Sequence, residues 1–313
     1  MNRKEKKAKR RWNIWALALI IIAVGALFFV PIYAMIIISL KTTRELIYSP
    51  LGFPRTLYLE NFKDAWKMLN LGTVYKNSLM VACVSVIARI LMASMASFTL
   101  AKRVNRVNRF LYVLFLSGLM IPIYTVLVPL LRLIKNLGLI NSHLGLIVVY
   151  IAMGMPFAIF MLTGFIKAIP NELLEAAVLD GCSVYRTFWT IIFPLLKSAV
   201  TTLFILDFLS VWNDFLLPML TLTDNSLKTV TVAMYNFYGE FGSRWEMTFA
   251  GYTLAIIPIV IVYLLLQKNI VEGIMIGAVI GKGGAQRWQF RFQFNTQMVQ
   301  SISGSQIRQG WIG

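Results

Sequence analysis

The sequence predicts an all-α membrane protein with six transmembrane helices and both termini on the cytoplasmic side. Three observations predict it. Six apolar runs are each about as long as the roughly 20 residues that a helix needs to cross the hydrocarbon core. Of 313 residues, 58% are hydrophobic and 14% charged, with a mean hydropathy of +0.71, more apolar surface than a soluble domain of this size absorbs. The 30 Lys and Arg gather at the chain ends and in short connections between the apolar runs, so the formal charge of +17 reads as a membrane-orientation signal and not as a groove for nucleic acid. Cys83 and Cys182 are too few and too far apart for a disulfide framework and read as small packing residues.

The expected spans are 15–40, 78–101, 110–131, 144–166, 198–220 and 249–267. The first follows a basic segment, 1–14, as a signal peptide would. Its apolar run is too long for a signal h-region and no small-residue cleavage site follows, so it is kept as a span. Seven Lys and Arg lie between Arg3 and Arg11, and four more lie in the connection from Lys102 to Arg109. With the N-terminus inside, the inner segments carry nineteen basic residues and the outer ones (41–73, 132–143 and 221–248) carry nine. The segment 41–73 has room for a small helix around 60–69 on the membrane surface. No 20–50-residue repeat is evident, nor the inverted symmetry of secondary carriers.

The loop 167–197 is the longest inner connection. Pro170, with Glu172 and Glu175 after it, suits a helix start, because the missing N–H costs nothing there and the carboxylates favour the dipole. Leu173, Leu174, Ala177 and Val178 fall at helical spacing. Gly181 supplies a stop, and a second helical stretch, 184–192, runs into Pro194. On periodicity alone, an interfacial helix on lipid and a docking element for another protein both fit. The scarcity of basic residues and the small Ala176, Ala177 and Gly181 favour the protein partner.

The residues Glu175, Ala176, Ala177, Gly181, Ile191 and Pro194 resemble, in register, the EAA signature of binding-protein-dependent ABC importer permeases, with Phe193 where leucine is usual. Further resemblance to the carbohydrate, maltose-permease-G-like branch lies in Pro54, Leu57, Glu60, Asn61 and Phe62, in Asn77-Ser78, in Trp212-Asn213-Asp214-Phe215 with Pro218, and in Ala250, Pro258, Gln267, Gly273 and Gly277-Ala278-Val279. The resemblance implies a type I importer architecture for a permease domain over 15–283, in the bacterial inner membrane. It implies ATPase coupling through Glu175, Ala176, Ala177, Asp180, Gly181 and Pro194. It also implies two ABC ATPase subunits, a second related permease and an extracytoplasmic solute-binding protein as partners, with ATP and Mg held by the ATPase.

No cofactor site of the chain's own is expected. The stretch from Gly277 to Gly283 has the wrong spacing for a phosphate loop, lacks the following Ser or Thr, and follows an apolar helix. The lone histidine, His143, reads as a solvated loop residue without a catalytic partner, so the chain is expected to be a transport subunit and no enzyme. Arg89 and Asp207 fall within spans, where charge is expensive, and are expected to pair with each other or with the second permease. They read equally as helix–helix glue or as part of the solute path. Trp212, Asn213, Asp214 and Asn236, with Tyr235, Phe237 and Tyr238, offer the aromatic faces and polar groups a sugar needs, or else an interfacial aromatic belt.

Residues 284–313 form a polar tail without acidic residues, read either as a native extension near the ATPases or as sequence foreign to the domain. The function these observations support is the membrane subunit of an ATP-driven importer for a sugar or oligosaccharide. A permease for another solute (amino acid, peptide or glycerol phosphate) and an ion-coupled secondary carrier are the alternatives; the carrier leaves the loop 167–197 unexplained.

Overall fold

The structure is a computed structural model that describes residues 3–241 and 244–280. Among them there is no strand. The helices are, in order, α1 (Arg3–Ser39), α2 (Thr43–Tyr48), α3 (Glu60–Met68), α4 (Leu71–Lys102), α5 (Arg106–Gly118), α6 (Ile123–Asn136) and α7 (His143–Lys167). The loop helices α8 (Glu172–Leu179), α9 (Val184–Thr187) and α10 (Phe193–Leu195) follow, with a π-helical stretch Phe188–Ile192 between the last two. Then come α11 (Lys197–Asn213), α12 (Leu216–Thr221), a 3-10 turn Asn225–Leu227, α13 (Val230–Phe241) and α14 (Trp245–Ile280).

Four of these helices are long and apolar enough to cross a membrane, and six spans are reached if each of two sharply bent helix pairs counts as one. The run expected as a single span at 110–131 is α5 and α6, bent by 101°. The cause is local. Leu119 and Met120 donate back to Leu116 and Ser117, tightening the last turn of α5, and Pro122 has no N–H and holds an extended backbone ahead of α6. The run expected at 198–220 is α11, which begins a residue early, ends at Asn213, and bends by 72° from the helical stretch Val184–Leu195. There Pro194 removes the donor for the Thr190 carbonyl, and the preceding turn is widened, with the Phe193 N–H bonded to the Phe188 carbonyl. The second span starts seven residues before its expected Ser78. The first apolar run continues a helix that already includes the basic residues from Arg3.

By packing, the chain divides into two units. One gathers the described residues up to Met80 with Ile140–His143 and Trp212–Ile261. Its core includes Leu69, Leu71 and Val74, the inner face of α13 (Val230, Ala233, Met234, Phe237) and Met247 and Ala250 of α14. Buried polar side chains tie its connections down. Asn61 donates to the Ser39 and Lys41 carbonyls at 2.9 and 2.8 Å, and the fully buried Lys41 ammonium is held by the carbonyls of Ser49 and Pro50. Asn77 donates to the carbonyls of Ser226 and Lys228, and the Ser78 hydroxyl accepts from the Val230 N–H at 2.8 Å. His143 is half-buried, and its Nε2 lies 2.9 Å from the Leu227 carbonyl, so the expected solvated loop histidine is a tethered one. The apolar window of α1 is almost wholly exposed, with 6% of it buried.

The other unit gathers Val81–Leu139, Leu144–Val211 and the described residues from Val262. Small residues bring α4 and α7 together: the Ser97 hydroxyl reaches the Ile159 carbonyl, and Ala93 and Ala158 are fully buried. At one end, Phe188, Ile192 and Leu196 pack on Ala101 and Ile166, anchoring the loop that follows α7. Lys102 closes this corner, donating to the Ile169 carbonyl at 2.6 Å and to Asn171 at 2.9 Å.

Candidate functional site

Three constellations gather the residues singled out in the sequence. The first is the loop after α7. The α8 helix ends in a Schellman motif: Gly181, at φ +73°, donates to the Val178 carbonyl, and Cys182 donates to Ala177. A left-handed residue is required there, and Gly adopts it without a Cβ penalty. Among the described residues, nothing beyond its chain neighbours lies within 4 Å of where a Cβ on Gly181 would sit, so the glycine answers to backbone geometry and not to crowding. Ser183 then caps α9 by accepting from the Arg186 N–H.

Burial divides the loop's residues. Ala177 is buried, while Glu175, Ala176, Asp180, Gly181 and Pro194 are exposed. Leu173 and Leu174 are half-buried, but Val178 is 68% exposed, so it leaves the apolar stripe expected of it. With Leu179 (88%), Val184 (57%) and Tyr185 (63%) it forms an exposed apolar surface around the glycine turn. A soluble surface seldom leaves such residues together without a partner.

The second constellation is the intramembrane charge. Arg89 of α4 and Asp207 of α11, 3% and 6% exposed, meet with Nη1 and Oδ2 2.7 Å apart. Arg89 Nη2 also donates to the Tyr150 carbonyl of α7 at 2.7 Å. Gly154, one turn further along α7, leaves the space the guanidinium occupies; a Cβ there would collide with Nη1, Cζ and Nε. One cation thus ties three helices, in the geometry that makes a buried pair tolerable.

The third is an open cleft of about 330 Å³ lined by the end of α11, by α13 and by α14. Trp212 and Asn213 line it, as do Phe215, Thr231, Tyr235 and Tyr252. Trp212 is buried against Tyr75, whose hydroxyl donates to the Leu254 carbonyl at 2.5 Å, and Phe215 and Tyr235 sit with ring centroids 5.0 Å apart. Asp214 and Asn236 are not among the lining residues. Asp214 Oδ1 accepts from the Leu216 N–H, its carbonyl accepts from Thr231, and Asn236 lies exposed on α13. Sequence reading missed Thr231 and Tyr252. Their signal was helical spacing, since Tyr252, Ala255, Ile256 and Ile259 fall on one face. On α13 that signal was hidden because 221–248 was read as an outer connection.

The comparison to the phosphate loop falls at the described residues Gly277 to Ile280, which continue α14, and at 281–283, which lie outside the described residues together with the tail 284–313.

Comparisons with known proteins fit this framework. Residues 90–276 match the family described as binding-protein-dependent transport system inner membrane component. The chain is 33% identical over 258 residues to the probable starch degradation products transport system permease protein AmyC of Thermoanaerobacterium thermosulfurigenes, covering 82% of this chain and 94% of that one. It is 34% identical over 276 residues to the melibiose/raffinose/stachyose import permease protein MelC of Bacillus subtilis, covering 88% and 100%. In three dimensions it is similar to a chain of a bacterial ABC transporter involved in the import of the acidic polysaccharide alginate. The TM-score is 0.73 at 20% identity, over 86% of this chain and 98% of that one, a likeness of fold. On the family match and the relatives together, the chain belongs to the binding-protein-dependent transport system inner membrane component family, as an ABC permease of the bacterial inner membrane.

Proposed function

We propose that this chain is one membrane subunit of an ATP-driven importer for a sugar or oligosaccharide. It crosses the membrane six times, counting each bent pair as one span, with both termini cytoplasmic and the permease domain over 15–283. Two ABC ATPases supply the energy and hold ATP and Mg. A second, related permease completes the path, and an extracytoplasmic binding protein delivers the solute. The names of the relatives support the substrate class, and the solved alginate transporter in complex with an alginate-bound periplasmic protein supports the delivery step by likeness of fold.

The observation that carries this reading is the exposed α8 turn. Its apolar residues sit on a loop capped by its own Schellman motif and anchored through Phe188 and Ile192 to the helices that lead away from it. A partner gripping Val178, Leu179 and Tyr185 therefore moves α7 and α11 with it. Closure of the ATPases is transmitted as rocking of the spans, and access to the path alternates.

Gly181 tests this. Gly181→Asn keeps the left-handed turn with a small polar side chain whose Cβ enters open space, so sugar-stimulated ATP hydrolysis by the complex is expected to persist. Gly181→Leu adds left-handed strain of about 1–2 kcal/mol and a bulky group on the docking surface, and is expected to uncouple or disassemble the complex. Undiminished sugar-stimulated hydrolysis in Gly181→Leu would contradict the mechanism.

A further inference from the structure

We propose that the cleft lined by Trp212, Asn213, Phe215, Thr231, Tyr235 and Tyr252 is a binding subsite for an uncharged sugar ring. This deepens the importer reading and rests on it. The cleft's volume of about 330 Å³ lies at the small end of the range for ligand sites, room for one or two rings and not a long chain.

Its chemistry selects among occupants. The faces of aromatic rings carry negative potential, and the C–H groups on one side of a pyranose are their complement. Tyr235 and Tyr252 are exposed to the cleft, and Phe215 is packed against Tyr235, so aromatic surface comes from two helices and the turn beside them. Asn213 is exposed at the end of α11 and brings an amide. The Thr231 hydroxyl, already donating to the Asp214 carbonyl at 2.6 Å, retains acceptor capacity. These groups match sugar hydroxyls.

Among the described residues no charged side chain lines the cleft, whose remaining wall is apolar (Val230, Met234, Ala255, Ile256 and Ile259). A uronate or a phosphorylated sugar would enter without a cation to meet it and would lose its hydration uncompensated. An acyl chain would cover the amide and hydroxyls without satisfying them. The residues that hold the cleft open are themselves fixed: Trp212 by Tyr75, and Tyr75 by the Leu254 carbonyl.

The test uses the whole importer in native membranes, with Cys83 and Cys182 replaced by Ser and Ile256→Cys placed in the cleft wall, where Ile256 is 40% exposed. Labelling by a water-soluble maleimide is followed in complexes arrested with a non-hydrolysable ATP analogue. The probes are raffinose, maltotriose and trigalacturonate, and uptake of each is measured alongside.

The subsite predicts labelling without sugar and at least five-fold slower labelling with whichever neutral probe is taken up. It predicts no slowing with trigalacturonate, and loss of the protection in Tyr235→Ala but not in Tyr235→Phe. Labelling that is indifferent to a neutral sugar the cells do import would overturn the subsite and leave the importer reading standing. Absence of labelling in every condition would assign the cleft to lipid or to the second permease and overturn it equally. If cells with the intact importer take up trigalacturonate and no neutral oligosaccharide, the subsite is overturned and the importer reading stands; if no sugar, neutral or charged, is taken up or stimulates ATP hydrolysis, the importer reading itself fails, and the subsite with it.

Discussion

Arg89 shows how much one buried charge organises. Its guanidinium reaches Asp207 on α11 and the Tyr150 carbonyl on α7 while standing on α4, and Gly154 exists as a glycine because any side chain would occupy its place. Removing one member leaves the other charge buried and unpaired. Asp207→Asn and Arg89→Leu are each expected to cost about 3–5 kcal/mol of stability, seen as lower yield and a lower unfolding temperature of the purified complex. The double variant, Arg89→Leu with Asp207→Leu, removes both charges and is expected to recover much of that loss. Single variants with wild-type stability would show that the pair holds nothing together. From the sequence, each charge was visible as an expensive residue in a span. Their partnership was not, because the two lie on different helices 118 positions apart and no periodicity links them.

Among the elements, legibility followed how purely apolar each one is. The fourth expected span, 144–166, differs from α7 by one residue at each end, because its hydropathy is uninterrupted. The small helix expected around 60–69 is present as α3, Glu60–Met68. By contrast, α4 begins at Leu71 because its polar first turns, with Asn77 and Ser78, are stitched to the connection before α13 by hydrogen bonds that no hydropathy average detects. The break at Pro194 is legible in the sequence, where the stretch 184–192 runs into that proline ahead of a span at 198, whereas the break at Pro122 falls inside the run 110–131, whose apolar length hides it.

The connection after α12 carries a titratable tie of its own. Asp224 is exposed, and its carboxyl is held below the usual carboxylate range, first by the Ser226 N–H and then by the Ser226 hydroxyl. A depressed value means that the turn is favoured above the ordinary Asp pKa of about 3.9 and released as pH falls through the lower folded value. The protection that this tie gives the Ser226 amide against exchange is therefore expected to be full and independent of pH above about pH 5, and to be lost on further acidification. Equal protection in Asp224→Ala across that range would remove the carboxylate from the account.

For the molecule as a whole, composition and basic-residue placement were enough for the class, and six residues in one loop were enough for the family. The loop was legible because its motif is local: a helix, a glycine in a left-handed turn and a proline, all within twenty-odd residues. The cleft was only partly legible. Trp212 and Asn213 were chosen for their chemistry, but Thr231 and Tyr252 arrive from separate helices by folding. Exposed apolar surface on α1 is what a span presents to lipid, whereas that on the α8 turn gives the chain a need for a partner that its own fold does not meet. The central claim is that the α8 surface receives an ATPase. The most direct measurement is affinity purification of this chain from gently solubilised native membranes, in its own form and as Leu179→Asp, with identification of what comes with it. The account predicts an ABC ATPase and a second multi-span permease with the unaltered chain, and loss of the ATPase but not of the second permease with Leu179→Asp. Recovery of a transport-competent chain with no ATPase, or equal ATPase recovery with both forms, would contradict it.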